Sequence, residues 1–310
     1  MLKNKLVKRF LLIISAIFII FMIWIFPTND SNVTTLNNRI TTEKNILYLL
    51  DRNNYLSRVD IIMQEKELDK KIIKMLNYLT LDSNESHYLK KDFKGIIPKN
   101  TKLLSYDIKE DLIVLNFSKE FLNISEEDES NIISSIIYTF TSLDGINKVS
   151  IYVDGNLLEK LPYSGIKIEP VLDRTFGINT KYNISNLKGN QKVTIYYLNK
   201  TEEDYYYYTP ITYVESNDNE KMEIIISEMA SKSTYQTGLI SYIKAAKNID
   251  YKINSDILEL SIKKELFNSL NNSNLIESVI YSMNLMIKDN YDVKEVIYLV
   301  DDSIYRNYYL

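Results

Sequence analysis

From residue 45 onward the chain repeats itself at a spacing of roughly 145–149 residues, and that duplication constrains the fold more than any other feature. Asn45-Ile46-Leu47-Tyr48-Leu49 opens the first unit, and Val193-Thr194-Ile195-Tyr196-Tyr197-Leu198 opens the second. Ile113, Leu115 and Phe117 alternate with outer positions, as do Leu258, Leu260 and Ile262 145 positions later. A basic–Glu step follows each, Lys119-Glu120-Phe121 and Lys264-Glu265-Leu266. Val149, Ile151 and Val153 then alternate before Asp154, as Val296, Tyr298 and Val300 do before Asp301. Alternation with period two is what a half-buried strand needs, one face on a core and one outside. The repeat is too long for a solenoid unit and suits two small domains.

Helical patterns lie between the strand segments. Leu68, Ile72, Ile73, Leu76 and Leu79 make one apolar stripe, and Ile132, Ile133, Ile136, Ile137, Phe140 and Leu143 make another. Acids Glu126, Glu127, Asp128 and Glu129 in the opening turn, with Gly145 beyond the end, suit the helix dipole and the terminal backbone groups. The second unit repeats the pair with Met222, Ile225, Ile226 and Met229, then Leu275, Ile276, Val279, Ile280, Met283 and Ile287. Each unit reads strand, strand, helix, strand, strand, helix, strand. That order predicts an α+β fold, a mixed or antiparallel sheet covered by two helices on one face. Four of the seven glycines and two of the five prolines fall in residues 155–190, which marks the join. Domains are expected at 45–160 and 191–310 with a linker over 161–190, of which Ile166, Ile168 and Val171 are expected to pack down.

Ahead of the repeats, Phe10 to Phe26 are seventeen residues, apolar except for Ser15, and thirteen of them are Leu, Ile or Phe. As a helix the run is about 25 Å long, and Leu6 and Val7 can extend it toward a bilayer's ~30 Å core. At roughly −0.4 kcal/mol each, those thirteen side chains favour insertion by about 5 kcal/mol. A cleaved secretory signal has a shorter apolar region ending in a small-x-small site, whereas Ser15 and Ala16 lie in mid-run. A buried core helix would show a polar face. The expected order is a basic cytoplasmic tail over 1–9, a retained transmembrane anchor in the lipid bilayer over 10–27 with Trp24 at its outer edge, and an Asn/Thr/Ser-rich tether over 28–44. Lys3, Lys5, Lys8 and Arg9 place the N-terminus in the cytoplasm, so the repeats are expected outside a single-pass membrane anchor.

The composition removes many functional classes. With no cysteine and one histidine, disulfides, thiolate metal sites, cysteine nucleophiles and multi-histidine metal sites are all excluded. No glycine-rich phosphate loop motif occurs. The net charge of −4 divides into +4 over residues 1–26 and −8 over the rest, so nucleic acid is not an expected partner. His87 lies in the polar stretch Asp82-Ser83-Asn84-Glu85-Ser86-His87-Tyr88, with no G-x-S-x-G nucleophile motif to serve. The run Glu126–Glu129 lacks calcium-loop spacing. Nothing singles out a carboxylate pair for sugar hydrolysis, the reaction of the least favoured reading, a wall hydrolase. No catalytic, cofactor-binding or metal-ligating residue is therefore expected. Tyr205, Tyr206, Tyr207 and Tyr208 on a strand would put two rings on each face. They read either as an aromatic platform for glycan or protein contact or as a strand of residues with high β-propensity.

One group of segments carries a family resemblance. Ile96-Ile97-Pro98-Lys99-Asn100-Thr101-Lys102-Leu103-Leu104-Ser105 resembles the I-P-x-G-T-x-L-L-S core of GerM domains, the sporulation and spore germination family. Leu112 to Phe121 resembles that family's v-x-V-D-F-S-x-x-F strand, and Val149 to Asn156 its closing strand and turn. Leu172 to Asn179 is similar to the segment that often follows. Asn100 stands where the family usually has glycine, and asparagine tolerates a left-handed turn better than most residues. The second unit is degenerate, with Tyr242-Ile243-Lys244-Ala245-Ala246 about where the turn should fall. Family members commonly reach the outer face through a lipidated cysteine, for which the apolar run would substitute here. The resemblance implies a non-catalytic scaffold that assembles with other envelope proteins or with itself. The alternative is a module binding peptidoglycan or a wall polymer. Pro98, Thr101, Phe117, Asp154 and Gly155 are the motif residues, expected to shape turns and core.

Overall fold

Both repeat openings form hairpins in the computed structural model, which describes residues 44–184, 190–203, 205–216, 220–230, 249–265 and 273–310. The expected tail, anchor and tether up to residue 43 lie outside the described residues, as does the Tyr242–Ala246 stretch. Residues 44–310 form one unit.

In the first repeat, β1 (Lys44–Asp51) and β2 (Leu56–Ile62) pair antiparallel, and the short β3 (Phe93–Lys94) pairs with β1 on its other side. Helix α1 (Leu68–Leu79) follows β2, and helix α2 (Glu129–Phe140) lies between β5 (Leu112–Phe117) and β6 (Lys148–Val153). With β4 (Leu103–Lys109) and β7 (Asn156–Leu157) these strands make a four-stranded sheet ordered β4-β5-β6-β7. Past β8 (Lys181–Asn183), the second repeat runs β9 (Gln191–Lys200), β10 (Tyr206–Glu215), helix α3 (Lys221–Ala230), β11 (Ile249–Asn254) and β12 (Ile257–Ile262). Helix α4 (Ser273–Asn290), β13 (Glu295–Val300) and β14 (Ser303–Tyr309) complete it.

The duplication is visible in register. The parallel pair β5–β6 sets Ile113, Leu115 and Phe117 against Val149, Ile151 and Val153, and β12–β13 sets Leu258, Leu260 and Ile262 against Val296, Tyr298 and Val300. The hairpin turns repeat as well. Glu110 and Ser255 both have positive φ, as do Asp154-Gly155 and Asp301-Asp302, the conformation that tight hairpins require.

The expectation of one sheet per unit needs correcting. Each repeat divides its strands between an opening hairpin and a separate four-stranded sheet, and the two hairpins join into one six-stranded sheet. Its order is β3-β1-β2-β10, with β9 on the far side of β10 and β8 running parallel to β10. The hairpins meet antiparallel where Arg58 of β2 faces Tyr208 of β10. Equivalent strands meeting antiparallel is the arrangement of a two-fold dimer interface, here inside one chain. Alternation shows which face of a strand is buried but carries no record of which edge it pairs, so the sequence could not reveal this union.

The helices also differ from the expectation of covering one face. From Ile132 onward helix α2 is buried on all sides, including Ser134, Ser135, Tyr138 and Thr139. The small polar residues of α2 find partners: Ser135 Oγ donates to the Tyr48 carbonyl (2.7 Å), and the Tyr48 N–H donates to Thr139 Oγ1 (3.0 Å). Ser134 and Tyr138 donate instead to the Gly177 and Arg174 carbonyls of the joining segment (2.9 and 3.1 Å), so beyond its partly exposed first turn the helix sits between layers with its polar side chains satisfied. On α1 the buried set is Ile72, Met75, Leu76, Tyr78 and Leu79, while Leu68 and Ile73 are exposed. Helix α2 begins only at Glu129, so Glu126, Glu127 and Asp128 precede it rather than fill its first turn. In the joining segment Ile166 and Val171 are exposed and Ile168 is half-buried; Leu161, Leu172 and Ile178 are the residues that pack down. There Leu172 bridges to Val149, extending the first repeat's sheet edge.

Two apolar cores result. One runs from Leu47 to Ile178 and includes Tyr207 of the second repeat. The other runs from Val193 to Tyr298, and Tyr55 of the first repeat packs against it. Each repeat thus lends an aromatic ring to its neighbour's core.

Candidate interaction site

The tyrosine run of β10 falls where the two cores meet. Tyr205 and Tyr207 pack on the first core, and Tyr206 and Tyr208 on the second, as strand alternation demands. Tyr207 is buried, edge-on to Phe93 with ring centroids 4.9 Å apart. Burial, with Asp51 alongside, pushes its hydroxyl pKa well up. Tyr208 lies 5.3 Å from the Tyr281 ring, and Lys90 Nζ sits 4.2 Å over the Tyr205 ring. Tyr205, Tyr206 and Tyr208 are each half-buried, so the four rings mainly join the halves rather than stand open as a platform.

Around this seam lies a buried polar network that the sequence did not single out. Tyr48 and Tyr196, the same position of the two repeats, touch through their hydroxyls at 3.2 Å. Tyr196 donates to Asp289 of α4 (2.5 Å), and Arg174 of the joining segment donates to the other oxygen of that carboxylate (2.7 Å). Arg174 also donates to Thr141 Oγ1 (2.9 Å) and lies 4.9 Å over the Tyr138 ring. Burial alone would lower the Arg174 pKa, but Asp289 and the tyrosine hydroxyls more than reverse this and hold the guanidinium charged. The Tyr196 pKa is pushed well up, first by burial and then by Asp289. A second arginine, Arg58, is buried between Asp60 (2.8 Å) and the Tyr281 hydroxyl (2.7 Å), reaching α4 from the first repeat. The two arginines therefore clamp α4 at positions eight residues, about two turns, apart. One signal was available: tyrosine recurs at the same position of both opening strands, and Arg174 lies in a segment that resembles the family.

The motif residues fall into turns and core. Pro98 is buried, its carbonyl accepts from the Thr101 N–H (3.2 Å), and Asn100 between them has φ 65°. Phe117 is buried and stacks on Phe121 at 4.7 Å. The Asp154 N–H donates to the Phe117 carbonyl (2.9 Å), and the Gly155 N–H to Asn116 Oδ1 (3.0 Å). Glu129, at the end of the acidic run, is buried and accepts from the backbone N–H groups of Tyr163 (2.9 Å) and Ser164 (3.2 Å). Burial works to raise its pKa, and these bonds outweigh it and lower it. His87 is exposed on a short 3-10 turn. Among the described residues no group of three or more His, Asp or Glu side chains is placed to hold a metal ion.

Comparison with known proteins agrees with this organisation. The family described as Germane, sporulation and spore germination, matches residues 46–159. The spore germination protein GerM of Bacillus subtilis (strain 168) is 28% identical over 276 residues, 87% of this chain and 74% of that protein. The solved structure of the tandem GerMN domains of the Bacillus subtilis sporulation protein GerM superposes with a TM-score of 0.70 at 26% identity. That match covers 84% of this chain and 92% of the other.

Proposed function

Because the chain carries a GerM-family domain over residues 46–159 and resembles a tandem GerMN protein along most of its length, we propose that it is a non-catalytic scaffold of the cell envelope. In this reading it contributes to a sporulation or germination assembly, as the names of its relatives suggest. One observation carries the scaffold role: the shared six-stranded sheet and the clamped α4 fix two repeats into a single body. A body of that kind presents two four-stranded sheets in a fixed relation. Strand β14 lies at the edge of one of them with Ile304, Tyr305 and Tyr309 exposed. An edge strand has backbone groups available to a partner strand.

Residues 10–27 would anchor this body, with the tail inside and the repeats outside. Among the described residues no helix is long and apolar enough to cross a membrane, so the anchor is assigned to that run alone. The alternative, wall-polymer contact through the tyrosine strand, has less to draw on, because those rings are engaged between the cores. To test the scaffold, a photo-crosslinking residue is placed at Tyr309 of the full chain in living cells. Discrete crosslinked species, to itself or to a small set of envelope proteins, are expected. A chain that stays monomeric and uncrosslinked there and at Ile304 would overturn the reading.

A further inference from the structure

The joining segment and the two repeats enclose a cleft of about 540 Å³, and every residue lining it is polar or charged. Five cations face it, Lys148, Arg174, Lys192, Lys221 and Lys288, of which Lys148 is paired with Asp111 (3.1 Å) and Arg174 with Asp289 (2.7 Å). Its carboxylates are two, Asp173 and Asp289, and both are engaged. Asp173 accepts only from the neutral Thr175 N–H (2.8 Å) and hydroxyl (2.5 Å) and so keeps its charge, whereas Asp289 is paired with Arg174 and accepts from Tyr196. Lys192 and Lys221 donate only to backbone carbonyls, of Thr175 (2.8 Å) and Asn290 (3.2 Å), which leaves their charge uncancelled. Lys288 is exposed and meets no ion-pair partner among the described residues. The cleft is thus net positive on a body that carries −8 beyond residue 26. A neighbouring cleft of about 810 Å³ shares Lys192, Asp173 and Thr175 with it and adds Lys167 and Lys181 beside one further acid, Glu169, with Tyr55, Phe176 and Tyr182 also in its lining.

We propose that this groove binds a phosphate-bearing polyol polymer. Lysine ammonium groups act as point charges suited to phosphate, whereas the one arginine, whose planar fork would favour carboxylate, is already committed to Asp289. The 540 Å³ cleft has no aromatic lining among the described residues, so it offers neither a stacking surface for nucleobases nor one for sugar rings. Thr175, exposed at the cleft, gives its hydroxyl proton to Asp173 and can still accept from a polyol hydroxyl, whereas Thr141, Thr194, Thr212 and Asn290 are bonded within the protein. Cations distributed along a groove favour a repeating anion over a single one, because successive contacts add within one molecule. Placing that polymer in the envelope rests on the extracytoplasmic location proposed above; binding itself does not.

The experiment uses the full chain in detergent micelles and a fluorescent glycerol-phosphate oligomer as probe, read by anisotropy. Binding at 50 mM salt that weakens about tenfold or more by 200 mM is expected, because several counterions are displaced. The triple variant Lys192→Ala, Lys221→Ala, Lys288→Ala should lose about tenfold in affinity, and Lys70→Ala with Lys109→Ala, on other surfaces, should lose none. Should the triple variant melt early, Lys288→Glu alone is read, since that side chain is exposed. No binding at 50 mM salt, or binding that the lysine variants leave unchanged, overturns the site. An oligonucleotide or a polyglutamate of equal charge that binds as tightly overturns the ligand class. Failure of the probe leaves the scaffold standing, whereas repeats found inside the cell would remove the envelope polymer and leave the groove.

Discussion

Replacing Arg174 by Met tests whether the buried network joins the repeats. The change removes the 2.7 Å ion pair to Asp289 and the bond to Thr141, and keeps an unbranched side chain over Tyr138. The Asp289 side chain is only 3% exposed, so its charge is left with the Tyr196 hydroxyl as its remaining strong partner. Removing one member of a buried pair costs about 3–5 kcal/mol. Arg174 itself is 22% exposed, which places this loss toward about 3 kcal/mol. For a unit of this size that corresponds to a fall in melting temperature of roughly 6–12 °C. The assay is urea and thermal unfolding of residues 44–310, followed by circular dichroism. The double variant Arg174→Met, Asp289→Leu should recover much of the loss, giving a coupling of about 2 kcal/mol or more. A single-variant loss below about 1 kcal/mol, or additive losses, would refute the reasoning, since neither fits a buried charge left unpaired.

Other outcomes follow from the same physics. Burial raises the tyrosine pKa values, with Tyr208, Tyr213 and Tyr291 each pushed up to about 12. Raised acid groups of this kind stabilise fully below the ordinary value of about 10 and lose that contribution as pH rises through the folded one. The urea midpoint should therefore hold between pH 7 and 9 and fall between pH 10 and 12; a flat profile there would contradict the burial. Asn100→Val should cost about 1–2 kcal/mol, because a β-branched side chain is strained at positive φ, while Asn100→Gly should be nearly neutral. Ser135→Ala and Ser282→Ala remove equivalent bonds, to the carbonyls of Tyr48 and Tyr196, and should each cost about 1 kcal/mol. Clearly unequal melting shifts for the two would show that the internal symmetry is not energetic.

Much of the fold was legible because strands announce themselves by alternation. Ile113, Leu115 and Phe117 pair with Val149, Ile151 and Val153 in the order that the repeat suggests, and Asn100 takes the left-handed conformation its place in the motif requires. The union of the hairpins was not legible, since edge pairing at Arg58 and Tyr208 leaves no periodic trace. Ser135 and Thr139 bond the sheet backbone at Tyr48, a contact that no periodic pattern in the sequence records. The tyrosine run stood out as a surface candidate, yet its rings alternate between two cores that only the joining of the hairpins brings together. The basic groove was hidden for a related reason. Lys148, Lys192, Lys221 and Lys288 are far apart in the chain and converge only through the seam, and they are outvoted in a net charge of −4.

The absence of cysteine makes the central claim, an anchored body outside the membrane, directly measurable. Single cysteines are introduced in the full chain as Lys5→Cys and Lys252→Cys, the latter at an exposed position of β11, and intact cells are treated with a membrane-impermeant maleimide. The account predicts that Lys252→Cys is labelled at once and Lys5→Cys only after permeabilisation. Labelling in the reverse order, or of both positions only after permeabilisation, would contradict it.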